Sequence, residues 1–138
     1  MNKIKLGLQK SSARILPVGT VLFTSRAGIG NMAILEKEGT TNQGFQSIIP
    51  DSDKLNSYFI FSKKEELKRY GETVGAGSTF VEVSGKQMRQ MLILLPSIDE
   101  QLKLGTFFKN LDDEIVRQRQ KLEYLQQLKQ AYLQKMFV

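Results

Sequence analysis

Cysteine and histidine are both absent from the 138 residues. Without cysteine there are no disulfides, thiolate zinc sites or cysteine nucleophiles, and without histidine the commonest metal ligand and general base are missing. Much enzyme chemistry is thereby excluded, and no cofactor is implied. No window approaches the ~20 apolar residues of a membrane span. The start, Met1-Asn2-Lys3-Ile4-Lys5, lacks the apolar stretch of a secretory signal. A cytoplasmic protein with no membrane partner is the expectation. Acidic residues are missing from the first quarter, where Lys3, Lys5, Lys10, Arg14 and Arg26 all precede Glu36, within a net charge of +6. Such a bias favours a polyanion through phosphate neutralisation and counterion release, although a basic surface kept for solubility gives the same count.

What is present divides in two. Residues 1–97 hold all three prolines and ten of the eleven glycines, whereas residues 98–138 hold only Gly105. The length suits one domain with a helical appendage. In the first part, short β-prone runs alternate with turns, which predicts strands over Thr20 to Ser25, Met32 to Leu35, Gln46 to Ile49, Phe80 to Val83 and Met91 to Leu95, the last closed by Pro96. Leu55, Tyr58 and Phe59 have helix spacing, although Phe59-Ile60-Phe61 also alternates as a strand does. Ser62 and Glu65 form a capping-box pattern, with Leu67 and Tyr70 as the inner face and Gly71 as the stop.

The second part opens on Ser97-Ile98-Asp99-Glu100 directly after Pro96, a capping box with two acids at the positive end of the helix dipole. A helix starts there. A heptad seam follows in Phe108, Leu111, Ile115, Leu122, Leu125, Tyr132 and Met136, interrupted by Gln118 and Lys129. From Leu111 to Met136 such a helix extends roughly 39 Å, more than a small domain needs for its own core. The stripe is narrow and flanked by polar residues, which favours pairing with another helix over folding back on the chain's own sheet. Gly105 or Asn110 offers a place for a kink.

Three loops carry groups suited to nucleic acid. Ser25-Arg26-Ala27-Gly28-Ile29-Gly30-Asn31 supplies backbone NH groups and a guanidinium, but lacks the Gly-Lys-Ser/Thr ending and following helix of a nucleotide-binding loop. Thr40-Thr41-Asn42-Gln43-Gly44 gathers amides of the kind that bond adenine bidentately, and Gly75-Ala76-Gly77-Ser78-Thr79 adds hydroxyls. Ordinary turn chemistry explains each loop equally well when taken alone. Asp112-Asp113-Glu114 reads as charge favouring the start of the long helix rather than as a metal cluster.

In this order the segments resemble a target-recognition domain of a type I restriction-modification specificity subunit followed by that subunit's conserved helix. The resemblance rests on Lys10 to Leu22, Ser25 to Asn31, Thr41 to Phe45 and Gly77 to Phe80. It rests above all on Leu95-Pro96-Ser97-Ile98-Asp99-Glu100-Gln101, running into Leu111 to Ile115 and Leu133 to Phe137. It implies a non-catalytic subunit that reads double-stranded DNA and scaffolds modification methyltransferase and restriction subunits. It also implies an α+β fold: a small mixed sheet with short helices, then a long C-terminal coiled-coil-forming helix. Residues 1–97 are then a partial recognition domain, and residues 98–138 a conserved helical dimerisation or spacer region able to form a homodimer. Family domains begin several dozen residues before the segment matching Lys10, so truncation at the N-terminus is expected. The residues expected on DNA are Arg26, Asn31, Thr41, Asn42, Gln43 and Ser78, with Lys5, Lys10 and Arg14 near phosphates. The alternative is an interaction protein that keeps the helix and has lost DNA reading.

Overall fold

The computed structural model describes residues 13–76 and 81–137. The chain forms two compact units, Met1–Gly105 and Thr106–Val138. The first unit is built on a three-stranded sheet of order β2-β1-β3, from β1 (Val21–Thr24), β2 (Met32–Ile34) and β3 (Phe45–Ile48). Both pairings are antiparallel, with Val21 opposite Ile34 on one side and Ile48 on the other. Strand β1 is central because its alternate residues Val21 and Phe23 are fully buried, the period-two pattern of a strand with one face on the core. The turn before it is tied by Thr20, whose hydroxyl donates to the Pro17 carbonyl at 2.7 Å, and Gly19 takes the left-handed conformation there (φ 83°).

Helices α1 (Ser57–Ser62) and α2 (Lys64–Gly75) contribute to the core, and α3 (Gly85–Arg89) is a short turn. The core joins Val21, Phe23, Ile29, Ile60, Leu67 and Val83. Each fully buried side chain of this size stabilises by about 1.5–3 kcal/mol.

The strands expected at Thr20, Met32 and Gln46 form within a residue or two. From Ser57 to Ser62 the chain is helical, because the Asn56 side chain accepts from the Phe59 amide at 2.9 Å and caps α1, while Leu55 lies before the helix. Three expectations are corrected. The Ser62 hydroxyl donates back to the Phe59 carbonyl at 2.7 Å, so it caps nothing, and α2 starts after Lys63 without a side-chain cap. Gly71 does not stop α2, which continues to Gly75. A Cβ on Gly71 would lie 2.8 Å from Phe23 Cζ and 2.9 Å from Ile29 Cγ2, so this glycine admits the core rather than ending the helix. The segments expected as fourth and fifth strands are not strands: residues 81–83 and 91–95 have no ladder. Phe80 lies outside the described residues.

Met91–Leu95 nevertheless keeps the alternation. Met91 and Ile93 pack on the core, while Leu92 and Leu94 are 95% and 89% exposed. With β3 it lines a cavity of about 440 Å³, floored by Leu55, Ile60 and Leu67. Helix α3 was not expected from sequence, although its capping box is present: the Ser84 hydroxyl accepts from the Gln87 amide at 3.2 Å, and Gln87 Oε1 accepts from the Ser84 amide at 2.9 Å.

Helix α4 (Ile98–Met136) begins where expected. The Ser97 amide and hydroxyl both donate to Glu100 Oε2, and the Glu100 amide donates to the Ser97 hydroxyl. The helix is one run of 39 residues, without a break at Gly105 or Asn110. Asp112, Asp113 and Glu114 therefore lie in its interior and not near its positive end. Asp113 pairs with Lys109 at 2.6 Å and Glu114 with Arg117 at 3.4 Å instead. Among the described residues no helix is long and apolar enough to cross a membrane.

Candidate nucleic-acid interface

The β1–β2 loop is shaped by its own side chains. The Thr24 hydroxyl donates to the Gly28 carbonyl at 2.6 Å and accepts from the Asn31 amide at 2.9 Å. Asn31 Nδ2 donates to the same Gly28 carbonyl at 3.2 Å. Ala27, Gly28 and Gly30 all have positive φ, at 38°, 96° and 95°. Glycine takes such angles freely, as Gly28 and Gly30 do, whereas Ala27 adopts a conformation that is costly for a residue with a Cβ. Gly30 lies against α2, where a Cβ would collide with the Lys68 side chain and backbone. Ile29 is driven into the core, which leaves Arg26, Ala27 and Gly28 exposed.

The second loop is closed by Asn42, whose Oδ1 accepts from the Gly44 amide at 2.9 Å in the way Asx side chains imitate a backbone turn. Asn42 and Gln43 are exposed, and Thr41 is half-buried. These loops meet at Ser25. Its amide donates to the Gly44 carbonyl at 2.8 Å, and its carbonyl accepts from the Val83 amide at 3.0 Å. Gln46 Nε2 donates to the Val83 carbonyl at 3.1 Å, tying β3 to the Val83 segment directly. Arg26, Gln43 and Glu82 thus each flank a residue of one hydrogen-bonded junction. Glu82 sits next to Arg26, Oε1 to Nη2 at 2.9 Å.

The structure brings Arg26, Asn42 and Gln43 to one junction and puts Asn31 at the far root of the same loop as Arg26. Leu16 and Gly39 exchange backbone hydrogen bonds of 2.7 and 3.2 Å, which sets exposed Arg14 in a segment alongside the one leading to Thr41. Lys5, Lys10 and Ser78 lie outside the described residues. Asn31 and Asn42 each spend one side-chain group on their own loop, so they present less hydrogen-bonding capacity outward than their residue type suggests. Sequence reasoning missed Glu82. No local signal marks it, because its partner lies 56 positions earlier in the chain.

In the second unit every described residue is exposed, those of the apolar seam included. Phe108, Leu111, Ile115, Leu122, Leu125, Tyr132 and Met136 are between 40% and 74% exposed. Phe107, whose ring meets Phe108 edge-on with centroids 5.4 Å apart, and Leu133 are exposed as well and broaden it.

A family model described as the type I restriction modification DNA specificity domain matches residues 1–127. The type I restriction enzyme MjaIX specificity subunit of Methanocaldococcus jannaschii is 36% identical over 128 residues, covering 92% of this chain and 30% of that protein. A putative MjaX specificity subunit of the same organism is 26% identical over 113 residues, covering 82% and 27%. Among solved structures, the HsdS subunit of Thermoanaerobacter tengcongensis matches with a TM-score of 0.57 at 17% identity, over 74% of this chain and 24% of that one. A structure solved for complex assembly and conformational transition of the type I R-M system matches with a TM-score of 0.60 at 18% identity, over 75% and 25%. The chain spans less than a third of each of these relatives.

Proposed function

The chain belongs to the type I restriction modification DNA specificity domain family, and on that basis we propose that it reads double-stranded DNA within a type I restriction-modification specificity subunit. The role is recognition, not catalysis. The observation that carries this reading is the junction at Ser25, which presents Arg26, Asn42 and Gln43 from separate loops held by main-chain hydrogen bonds. A guanidinium and two amides on rigid loops match the acceptor and donor pattern of base edges in the major groove. Asn31, Thr41 and Ser78 extend the set, and Lys5, Lys10 and Arg14 supply phosphate contacts.

In this proposal residues 1–97 are the recognition part. Residues 98–138 are the helical region that forms a homodimer through the stripe from Phe108 to Met136, and so a coiled coil, and that offers a scaffold to methyltransferase and restriction subunits. Filter binding of the whole chain to duplex DNA over a salt series tests the reading. With Lys5, Lys10 and Arg14 on phosphates, log affinity falls with log salt at a slope of roughly −3. No affinity at low salt, or affinity insensitive to salt, refutes it.

A second reading is an interaction protein without DNA binding, favoured by the exposed apolar stripe of Thr106–Val138. Sedimentation with and without a methyltransferase subunit, beside the DNA titration, separates the two.

A further inference from the structure

Arg26, the cation of the β1–β2 loop, already has a partner. Its Nη2 lies 2.9 Å from Glu82 Oε1, with the two side chains 53% and 33% exposed. The pair is not a chance meeting of two long side chains on a surface. Ser25, the residue before Arg26, accepts a main-chain hydrogen bond from Val83, the residue after Glu82. The Val83 carbonyl is itself held by Gln46 Nε2. Main chain therefore sets the register that brings Glu82 beside the loop.

We propose that Glu82 is a specificity-determining residue of the DNA-reading loop: its carboxylate occupies the Arg26 guanidinium in the free protein and is exchanged for a nucleic-acid acceptor on binding. This inference rests on the DNA-reading function proposed above. Partial exposure lets water and a polyanion reach both groups, so the pair is weak enough to be exchanged. A phosphate replaces one anionic acceptor with another and is itself repelled by the displaced carboxylate, so little is gained. Two acceptors on one guanine edge satisfy two guanidinium N–H groups at once, and the exchange is then favourable. The carboxylate also repels phosphates that approach without such a base contact. Glu82 thus lowers affinity for arbitrary DNA more than for DNA offering the right edge, which is discrimination by an opposing element.

The test is a two-residue cycle in the whole chain, with Glu82→Gln, Arg26→Ala and the double variant titrated against a short duplex of mixed sequence over a salt series. Glu82→Gln keeps shape and removes the charge. It should tighten binding about three- to tenfold and steepen the salt slope by about one, as Arg26 turns to a phosphate. In the Arg26→Ala background the same change should alter affinity by less than about twofold. An equal gain in both backgrounds overturns the inference, because Glu82 then acts only as bulk negative charge. Binding by the unaltered chain with no gain from Glu82→Gln overturns it too, and leaves DNA reading standing. No affinity in any of the four proteins overturns both.

Discussion

Gln101 and Asn56 are joined across 45 positions of chain: the Asn56 amide donates to Gln101 Oε1 at 3.0 Å. Gln101 Nε2 donates to the carbonyls of Lys54 and Pro96, both at 3.0 Å, and the residue is 1% exposed. Asn56 in turn caps α1. One buried amide on the first turn of α4 therefore satisfies three main-chain groups and fixes the start of that helix against the start of α1.

Replacing Gln101 with Leu keeps the volume and leaves one amide and two carbonyls without this partner. Unsatisfied buried groups cost about 1–3 kcal/mol each when water cannot reach them. With partial rescue by solvent, unfolding in urea should show a loss of about 2–4 kcal/mol at an unchanged slope. An unmoved midpoint would show that the three bonds are dispensable.

Gly105 lies one turn further along α4. By helix propensity, Gly105→Ala should stabilise by about 1 kcal/mol. Its Cβ, however, would sit 2.5 Å from Asn56 Oδ1 and 3.3 Å from the Phe59 amide nitrogen, against the cap of α1. The clash outweighs the propensity, and a net loss of about 1–3 kcal/mol is expected in thermal or urea unfolding. A rise in stability would mean that this contact yields easily.

The alternation in residues 91–95 gives opposite outcomes at neighbouring positions. Ile93→Asp places a charge against the core cluster and should cost about 2–4 kcal/mol, while Leu94→Asp should stay within about 0.5 kcal/mol. Equal effects would mean that the segment has no inner and outer face.

If the stripe pairs two chains as proposed above, charged substitutions at Leu122 and Leu125 abolish self-association while leaving the first unit folded. Sedimentation equilibrium reads the first effect and the near-ultraviolet signal of the unit's tyrosines the second. An oligomer of unchanged size would exclude the stripe as the pairing surface.

Asp51 shapes the turn leading to Lys54. Its carboxylate accepts from the Asp53 amide at 3.2 Å and pairs with Lys54 at 3.3 Å. The Asp53 amide first, then Lys54, hold its pKa below the ordinary aspartate value. Because the folded-state value is the lower one, the contribution is present above the ordinary value and is lost as pH falls through the folded one. Acid unfolding of Asp51→Asn should therefore lack this component, and a carboxyl titration should place Asp51 below an unfolded reference peptide. A midpoint equal to the reference would remove the effect.

Local pattern was enough to decide several elements. Pro96 followed by Ser97 and Glu100 starts α4 because the capping bonds span only three residues, and Val21 and Phe23 alternate because β1 is covered on one face. The residues that mark the family are likewise contiguous runs. Ser62 and Gly71 show where local signals fail: a hydroxyl three residues before a glutamate still chose the Phe59 carbonyl, and a glycine that looked like a stop was needed by the Phe23 ring.

Tertiary structure alone decided the rest. Whether residues 91–95 form a strand depends on a neighbour's backbone, and none is supplied among the described residues. That Arg26 meets Glu82, and Gln101 meets Asn56, depends on main-chain junctions between segments dozens of positions apart. Periodicity and capping act over a few residues of one element, whereas an ion pair or a buried amide is settled by where separate elements come to rest against a shared core.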